Sequence, residues 1–202
     1  TTEAVCQAIG ITLADLFSKT EEGKKTIIAT YDYKDEDGNL LFQVVRYEPK
    51  SFAQRHKNSS NNWVWNTEGV RKVLYHLPEI LAETGTIFLV EGEKDADKLW
   101  EYGQVATTSP GGANAWKSEY ADFLRGKRVV IIPDNDTAGF AYARSVIKSL
   151  ECKAREIKCL ILPNESKDFS DWIEGGNNIV ELSFMEQDVS ALWTLATADY
   201  HR

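Results

Sequence analysis

The sequence predicts an α/β fold in which a four-stranded parallel sheet carries helices on both faces and follows a small antiparallel α+β region. Two observations support this prediction. From Thr86 onward, short apolar strand patterns alternate with helical patterns, and short connections of this kind produce parallel sheets with right-handed crossovers. Before Thr86, residues 27–33 and 40–47 are rich in β-branched and aromatic residues and flank Asp-Glu-Asp-Gly-Asn, a hairpin signal.

Length and composition limit the class of protein. The 202 residues can hold one medium domain or two small ones. No apolar run reaches membrane-spanning length and no signal-peptide pattern is present, so we expect a cytoplasmic protein without membrane contact. The three cysteines include no C-x-x-C pair and the three histidines are scattered, so the sequence predicts neither disulfides nor a bound zinc ion. Because the first residue is threonine, we expect a segment of a longer protein.

One basic segment stands out in an acidic chain. The net charge is −8, which by itself disfavours binding to nucleic acid. Between Arg46 and Lys72, however, six basic residues stand against two acidic ones, so this segment carries about +4 and the remainder about −12. An enzyme that handles a polyanion through metal ions needs such a basic surface beside an acidic site.

The stretch from Ile87 to Trp100 organises the second region. Its four apolar residues 87–90 predict a strand buried on both faces, and the chain then turns into a helix. Glu91 therefore lies at the carboxyl end of a central strand, where ligands of open α/β sheets bind. Asp95 falls one turn into the helix, whose apolar residues have the spacing that packs against a sheet.

A second strand ends in acidic residues. Residues 128–133 predict a strand that is followed by Asp134-Asn-Asp136, and Thr-Ala-Gly then opens another helix. If this strand lies beside and parallel to the first, Asp134 and Asp136 converge with Glu91 on one crevice. Carboxylates crowded in this way repel one another unless a hard divalent cation such as Mg²⁺ or Mn²⁺ binds them.

The acidic residues also allow a purely structural interpretation. Acidic residues directly after strands often cap helices, since the helix dipole favours negative charge there. Asp168 and Asp171 form a third acidic pair, after the predicted strand 156–162. Three such clusters at strand ends favour a metal site over capping alone.

The remaining segments complete the predicted order of elements. Trp63 and Trp65 fall on one face of a short strand, where the rings could stack on unpaired bases or pack in the core between two subdomains. Gly111-Gly112 could approach a phosphate or form a plain tight turn. We expect the chain to leave the first sheet at residues 49–52. The other expected elements are a helix pair at 2–17, a polar loop at 58–62, a strand at 105–107, a turn at 109–113 and a helix at 116–124.

Two motifs of the second region resemble a known domain. Glu-Gly-Glu-Lys-Asp after one strand, and Asp-Asn-Asp-Thr-Ala-Gly after the next strand but one, resemble the TOPRIM domain that bacterial primases, topoisomerases and some nucleases share. The resemblance covers about Thr86 to Trp172. The predicted organisation is a helical lead-in and linker at 1–25, a basic α+β subdomain at 26–85, a TOPRIM domain at 86–187, and a C-terminal helix or linker at 188–202.

The TOPRIM resemblance implies roles for five acidic residues. Glu91 would act on a metal ion or as an acid or base. Asp134 and Asp136 would be the principal ligands of Mg²⁺ or Mn²⁺. Asp95 and Asp168 are implied as ligands of a second ion.

The first region extends the resemblance. Its Arg46-Tyr-Glu-Pro-Lys50-Ser-Phe and Gln-Arg55, followed by Leu-Tyr-His-Leu-Pro-Glu at 74–79, are similar to the catalytic core of bacterial-type primases. His76 stands where these cores carry glycine, which indicates a divergent branch such as primase-like proteins of phages, plasmids or other mobile elements. The resemblance implies nucleotidyl transfer in DNA replication, namely synthesis of short primers from nucleoside triphosphates on single-stranded DNA. The residues implied to hold triphosphate or template are Arg46, Lys50, Arg55 and Lys57.

The resemblance leaves other activities and partners open. It implies a zinc-binding module upstream, and it admits a helicase as a further partner. A metal-dependent nuclease could use the same carboxylates with water as the nucleophile, and a nucleic-acid-binding module could keep the fold without turnover. A topoisomerase is disfavoured, because its tyrosine nucleophile comes from a separate domain.

Overall fold

Two β-sheets form the framework of the chain, and the computed structural model describes residues 25–112, 115–163 and 165–190. The predicted helix pair at 2–17 lies outside the described residues, as does most of the predicted C-terminal segment 188–202. In the described part of the chain, no helix is both long enough and apolar enough to cross a membrane.

The first sheet is antiparallel and has the strand order β1-β2-β3-β4. The predicted hairpin is confirmed, because β1 and β2 pair around a turn in which the Asp35 carboxylate accepts the backbone N–H groups of Asp37 and Asn39 at 3.0 and 2.8 Å. Gly38 in this turn has φ 85°, a left-handed conformation that favours glycine. The strands are β1 (Thr26–Lys34), β2 (Leu40–Glu48), β3 (Ser51–Lys57) and β4 (Trp63–Val64).

The expectation that the chain leaves this sheet at residues 49–52 is wrong. Pro49 and Lys50 form a short turn, and β3 then pairs antiparallel with β2 from Ser51 onward. The sequence Ser-Phe-Ala-Gln-Arg-His-Lys contains no β-branched residue, so it lacks the usual strand signal. Its strand conformation comes from pairing with β2, and the strand propensities of its own residues do not predict that pairing.

The second sheet has five strands in the order β6-β5-β7-β8-β9. The first four are mutually parallel, which confirms the predicted parallel sheet. The chain passes from β5 to β6 on one side and then to β7 on the other, so the strand order reverses at β5, as at the ligand-binding edge of open α/β sheets. The strands are β5 (Thr86–Leu89), β6 (Ala106–Thr107), β7 (Arg128–Ile131), β8 (Glu156–Leu160) and β9 (Glu186–Asp188).

Strand β9 was not expected from the sequence. It adds an antiparallel edge to β8, with Lys158 paired to Asp188 and Cys159 to Gln187. Charge pairing holds it there, because Lys158 Nζ lies 2.5 Å from Asp188 Oδ1 and the Arg128 guanidinium contacts the Glu186 carboxylate. The predicted helix or linker from residue 188 therefore begins at the last residue of a strand.

In the part of the chain that the structure describes, five α-helices and two 3₁₀ helices connect the strands. The helix predicted at 116–124 is a 3₁₀ helix at Ser118–Leu124, and a second one spans Ile179–Glu181. The α-helices are α1 (Leu77–Ala82), α2 (Glu93–Glu101), α3 (Thr137–Leu150), α4 (Phe169–Glu174) and α5 (Leu182–Met185).

A continuous apolar core joins the two sheets. The predicted central strand is fully buried at Ile87 and Leu89, and Ala96 and Leu99 of α2 pack against it. On the side of the first sheet, Tyr33 stacks on Phe42 with ring centroids 4.5 Å apart and belongs to the same core. The core fixes the carboxyl ends of β5 and β7 opposite the first sheet.

Candidate active site

A crevice of about 590 Å³ lies between the two sheets. One wall comes from the antiparallel sheet and the other from the ends of β5, β7 and β8 and the starts of the following helices. The first wall includes Tyr31, Val44, Arg46, Lys50, Phe52 and Gln54, and the second includes Glu91, Glu93, Lys94, Asp95, Gly111, Gly112, Asp134, Lys167, Asp168 and Asp171.

Glu91 is placed by the neighbouring strand β6. The backbone N–H of Val90 donates to the Thr107 carbonyl oxygen at 3.1 Å, and the Thr108 hydroxyl donates to the Glu91 carbonyl oxygen at 2.8 Å. Thr108 is fully buried. Sequence reasoning missed Thr108, although a threonine directly after a short strand at the same edge was a signal that could have found it.

Asp134 follows β7, the strand next to β5, and lines the same crevice as Glu91. The two strands are in register, since the N–H of Ile132 donates to the Leu89 carbonyl oxygen at 2.9 Å. Burial raises the pKa of Asp134 to about 7, and the neighbouring charge of Glu91 is the next cause. A carboxyl group with this pKa lies in a site that disfavours further negative charge and favours a cation.

Asp136 and Asp168 both cap helices, as the structural interpretation of these residues proposed. Asp136 Oδ1 accepts the backbone N–H of Gly139 at 2.8 Å at the start of α3, and Asp168 Oδ1 accepts that of Asp171 at 2.8 Å at the start of α4. Asp168 lines the crevice, whereas Asp136 is exposed and is not part of its lining. Both charges nevertheless contribute to the raised pKa of Asp134.

Asp95 is buried and holds two helices together. Its Oδ1 accepts the backbone N–H of Ser170 at 2.9 Å and the Ser170 hydroxyl at 2.6 Å, which ties α2 to α4. Burial raises the pKa of Asp95, and the Ser170 hydroxyl opposes that rise. The carboxylate faces the crevice but is already committed to Ser170 through one oxygen.

Asn135, between the two aspartates, anchors the loop after β8. Its side-chain amide lies 3.3, 3.1 and 3.2 Å from the carbonyl oxygens of Leu162, Pro163 and Ser166, and its backbone N–H donates to the Lys167 carbonyl oxygen at 2.7 Å. Through these bonds, Asn135 brings the loop that carries Lys167 and Asp168 to the crevice. No local signal in the sequence marks Asn135, because its partners lie about 30 residues further on.

The four cationic residues expected to bind triphosphate or template are divided between two faces of the first sheet. Arg46 and Lys50 line the crevice. Arg46 Nε is buried and has no hydrogen-bond partner among the described residues, and its guanidinium lies 6.0 Å from the Phe52 ring centroid. Arg55 and Lys57 are not among the residues that line the crevice, and they lie on the opposite face, because side chains alternate along a strand and Gln54 faces the crevice.

Glu93 and Tyr33 join the two walls, and the sequence analysis assigned neither a role. The Tyr33 hydroxyl donates to Glu93 Oε1 at 2.8 Å, and both residues are buried. Burial raises the pKa of Glu93, and the Tyr33 hydrogen bond opposes this rise. The pair fixes the start of α2, directly after Glu91, against the antiparallel sheet.

Trp63 and Trp65 do not pack between the subdomains, which corrects one of the two interpretations of these residues. Trp65 is 52% exposed, and both rings contact the Arg55 guanidinium on the outer face of the sheet. Gly111 and Gly112 line the crevice with φ of 105° and 73°, conformations that favour glycine. A phosphate-binding role for their backbone remains a prediction.

The donor set at the crevice fits a divalent ion held partly by substrate. Within residues 25–112, 115–163 and 165–190, no three carboxylate, imidazole or thiol side chains are grouped to hold a metal ion by themselves. Glu91 and Asp134 supply hard carboxylate oxygens in a site that favours positive charge. Mg²⁺ is commonly bound through one or two carboxylates together with substrate phosphates, and this donor set matches that pattern.

Known proteins share both the second region and the overall fold. Residues 88–173 match the protein family described as Toprim-like. The E. coli primase catalytic core superposes with a TM-score of 0.62 at 17% identity, covering 96% of this chain and 67% of that one. The primase fragment of the bacteriophage T7 primase-helicase superposes with a TM-score of 0.55 at 20% identity, covering 73% and 57%. The Aquifex aeolicus primase (zinc-binding and RNA polymerase domains) superposes with a TM-score of 0.56 at 21% identity, covering 87% and 46%.

The matches cover parts of longer chains at low sequence identity. No curated protein matches the sequence significantly. The chain spans 57% of the T7 fragment and 46% of the Aquifex chain, and sequence identities near 20% establish a shared fold. Residues 88–173 therefore resemble the Toprim-like family, and the chain has the fold of bacterial and phage primase catalytic cores.

Proposed function

We propose that this chain is the catalytic core of a primase-like nucleotidyltransferase, which joins nucleotides into short primers on single-stranded DNA. One observation supports this proposal most directly. Glu91 and Asp134 line one wall of the crevice while Arg46 and Lys50 line the opposite wall. A nucleoside triphosphate needs both, because a metal ion bound by carboxylates and a cationic group together neutralise its phosphates.

The acidic wall would hold Mg²⁺ or Mn²⁺ through Glu91 and Asp134. The ion, when bound, lowers the pKa of the attacking hydroxyl and neutralises charge that develops on the phosphates. Glu91 is fixed in position by its backbone contact with Thr108, and Asp134 lies on the strand next to it. Asp95, Asp136 and Asp168 hold helix ends and would act on the ion through their charge, as they do on the pKa of Asp134.

The basic wall would position the phosphates. Arg46 offers a buried guanidinium nitrogen with no hydrogen-bond partner among the described residues, and a guanidinium fork suits phosphate oxygens. Lys50 is exposed at the mouth of the crevice and would act as a mobile cation there. Lys167 contributes a cation from the acidic wall. Catalysis by such a site is mostly positioning and electrostatic stabilisation.

Further domains would complete the activity. The T7 relative is named as a fragment of a primase-helicase, and the Aquifex relative as a protein with zinc-binding and RNA polymerase domains. By analogy, we expect a zinc-binding module before this core that helps select the template, and a helicase as a partner. Template affinity of the core alone should be weak and strongly dependent on salt, because few phosphate contacts are available.

The proposal is tested by supplying single-stranded DNA, labelled nucleoside triphosphates and Mg²⁺ or Mn²⁺ to the chain. We expect slow synthesis of short oligonucleotides that is lost in Glu91→Gln. Glu101→Gln is the matched control, because Glu101 is an exposed glutamate at the end of α2, pairs with Lys98 and lies outside the crevice.

The products distinguish the competing activities. Shortening of the DNA without nucleotide incorporation, lost in Glu91→Gln, would identify a nuclease instead. Metal-independent DNA binding with neither product would identify a binding module without turnover.

A further inference from the structure

The outer face of the antiparallel sheet carries an aromatic and cationic patch formed by Tyr47, Arg55, Lys57, Trp63 and Trp65. The Arg55 guanidinium carbon lies 4.2 Å from the Trp63 ring centroid and 5.0 Å from that of Trp65. Lys57 Nζ lies 5.4 Å from the Trp63 ring, and the rings of Tyr47 and Trp65 are 6.5 Å apart. Two indoles, one phenol and two cations thus share one surface.

The patch is separate from the crevice. Gln54 of β3 pairs with Val44 of β2, and both line the crevice. Successive side chains of a strand point to opposite faces, so Arg55, which pairs with Gln43 and bonds to it, points away from the crevice. Trp63 pairs with Lys57 across β3 and β4, which places its ring on the same outer face. None of the five patch residues is among the residues that line the crevice.

The guanidinium of the patch is held in a fixed orientation. Arg55 Nε donates to Gln43 Oε1 at 2.8 Å, and Gln43 Nε2 donates to Asp32 Oδ1 at 2.6 Å. Gln43 is only 9% exposed, so this chain of hydrogen bonds is anchored in the sheet. Trp65 by contrast is 52% exposed, although burying its ring would have stabilised the fold. The sheet thus supports an indole that remains open to solvent.

We propose that this patch binds a single strand of DNA outside the crevice, with unpaired bases stacked on the exposed indole and phosphates beside Arg55 and Lys57. The proposal rests on the proposed function, because the strand it would hold is the template that the crevice copies. Aromatic rings beside fixed cations are the combination that binds single strands without sequence preference. The patch lies in the basic segment 46–72, so the charge needed to attract the strand is concentrated there.

The patch would supply affinity that the crevice lacks. A DNA strand that contacts both faces of β3 would pass around the edge of the first sheet. There, β4 pairs with only two residue positions of β3. Base stacking is worth about 1–3 kcal/mol per base and depends little on sequence. A template held in this way could move through the crevice while its contact with the outer face persists.

The test is fluorescence anisotropy with a labelled oligodeoxythymidylate and, in parallel, the same sequence as a duplex. Trp65→Ala should weaken single-strand binding about tenfold, and Trp65→Phe should restore most of the affinity because phenylalanine still stacks. Lys57→Gln should lower the slope of log affinity against log salt by about 1. Tyr102→Ala is the control, because Tyr102 is an exposed aromatic residue at the end of α2, outside patch and crevice.

The outcomes decide whether the patch binds single-stranded DNA. Circular dichroism and thermal melting show whether Trp65→Ala keeps the fold, and Trp65→Phe repeats the comparison with a ring in place. Equal affinity of wild type and Trp65→Ala overturns the proposal, and so does an equal loss for duplex DNA, whose bases cannot stack on the indole. If wild type incorporates no nucleotide but Trp65→Ala still weakens single-strand binding, the proposed function fails and the patch stands. If wild type makes primers and Trp65→Ala binds normally, the patch alone fails.

Discussion

Gly139 lies against the backbone of Asp134, so closely that a Cβ atom at Gly139 would sit 2.3 Å from the Asp134 carbonyl oxygen and 2.9 Å from its backbone nitrogen. Gly139 is the third residue of α3, and its N–H binds the capping carboxylate of Asp136. The requirement here is for space, since neighbouring backbone cannot move aside as a flexible side chain can. The glycine that ends Asp-Asn-Asp-Thr-Ala-Gly therefore sets the distance between the helix and the acidic strand end.

Gly139→Ala should destabilise the protein by about 2 kcal/mol, because overpacking against rigid neighbours costs about that much. It should also displace Asp134 and lower Mn²⁺ affinity, measured by calorimetry alongside urea unfolding. Gly85→Ala is the control, since its Cβ would meet only the flexible Glu83 carboxylate, at 2.9 Å. A Gly139→Ala protein as stable as Gly85→Ala would contradict the close approach.

Tyr33→Phe should destabilise the protein by about 1–3 kcal/mol, the range for a buried polar group left without its partner. The substitution removes the hydroxyl that donates to Glu93 and keeps the ring that stacks on Phe42. Urea unfolding gives the measurement, with Tyr102→Phe on the exposed end of α2 as the control. Glu93→Gln should be milder, since the amide oxygen can still accept from Tyr33. If Tyr33→Phe and Tyr102→Phe unfold alike, the bond to Glu93 contributes nothing to the joint between the two walls.

Asp134→Asn should stabilise the protein without metal, on the order of 1 kcal/mol at pH 8 after solvent screening. The pKa of Asp134 is raised from 3.8 to about 7, so the folded state favours its neutral form. The stability that this carboxyl contributes is fully present below pH 3.8 and is lost as pH rises through about 7. The advantage of Asp134→Asn should therefore narrow as pH falls from 7 toward 4, measured by thermal unfolding in chelator.

A matched aspartate should behave in the opposite way. Asp122 pairs with Arg125 and Lys153, and these bonds lower its pKa. Asp122→Asn should therefore slightly destabilise the protein at neutral pH.

In calorimetry, Asp134→Asn should also bind Mn²⁺ more weakly than wild type. Unchanged Mn²⁺ affinity would show that the metal lies elsewhere.

The acidic edge could be predicted from the sequence because it follows from local signals. Apolar strands that end in Glu91 and Asp134 carry their own periodicity, and parallel strands bring their carboxyl ends to one edge of a sheet. The capping roles of Asp136 and Asp168 were also weighed, since capping depends on residues three positions apart. Metal binding by Glu91, Asp95, Asp134, Asp136 and Asp168 stays a prediction.

Features set by distant partners could not be predicted in this way. Strand β9 has the sequence Glu-Gln-Asp, which has no strand propensity, and Arg128 and Lys158 hold it in place. Because β3 carries no strand signal, its alternation cannot be read from the sequence, and the opposite faces of Arg46 and Arg55 appear only in the structure. The sequence showed the basic residues but did not reveal how the sheet divides them.

The contacts of the His76 ring accompany a backbone conformation that favours glycine, and the cost of that conformation can be tested. It has φ 56°, a left-handed conformation that favours glycine. Its ring lies 3.9 Å from that of Tyr75 and 5.0 Å from that of Trp100, and Nε2 lies 3.2 Å from Asp97 Oδ1. His76→Ala should be about 1 kcal/mol less stable than His76→Gly, because alanine loses the contacts and keeps the backbone strain. Equal stability of the two variants in urea would show that the strain is negligible.

Ser170→Ala should weaken the contact between α2 and α4 beside the crevice and so lower the stability of the protein. Asp95 Oδ1 accepts two bonds from Ser170, and the substitution removes the shorter one, from the hydroxyl, while the backbone N–H remains. Burial already raises the pKa of Asp95, and the Ser170 hydroxyl opposes that rise, so its loss should raise the pKa further. When the pKa of Asp95 is higher in the folded than in the unfolded protein, ionising Asp95 costs stability as the pH rises. Ser170→Ala should therefore lose more stability at pH 8, where Asp95 is charged, than at pH 5.

The expected loss for Ser170→Ala at pH 8 is about 1–2 kcal/mol, the range for a hydrogen bond to a charged group. Ser145→Ala is the control, because Ser145 is exposed on α3 and alanine favours helix. In Asp95→Asn, which carries no charge to be stabilised, Ser170→Ala should lose less, and its loss should no longer depend on pH. If Ser170→Ala loses the same stability at pH 5 and pH 8 in the protein that keeps Asp95, Ser170 does not act through this carboxylate. The loss would then come only from packing at the start of α4.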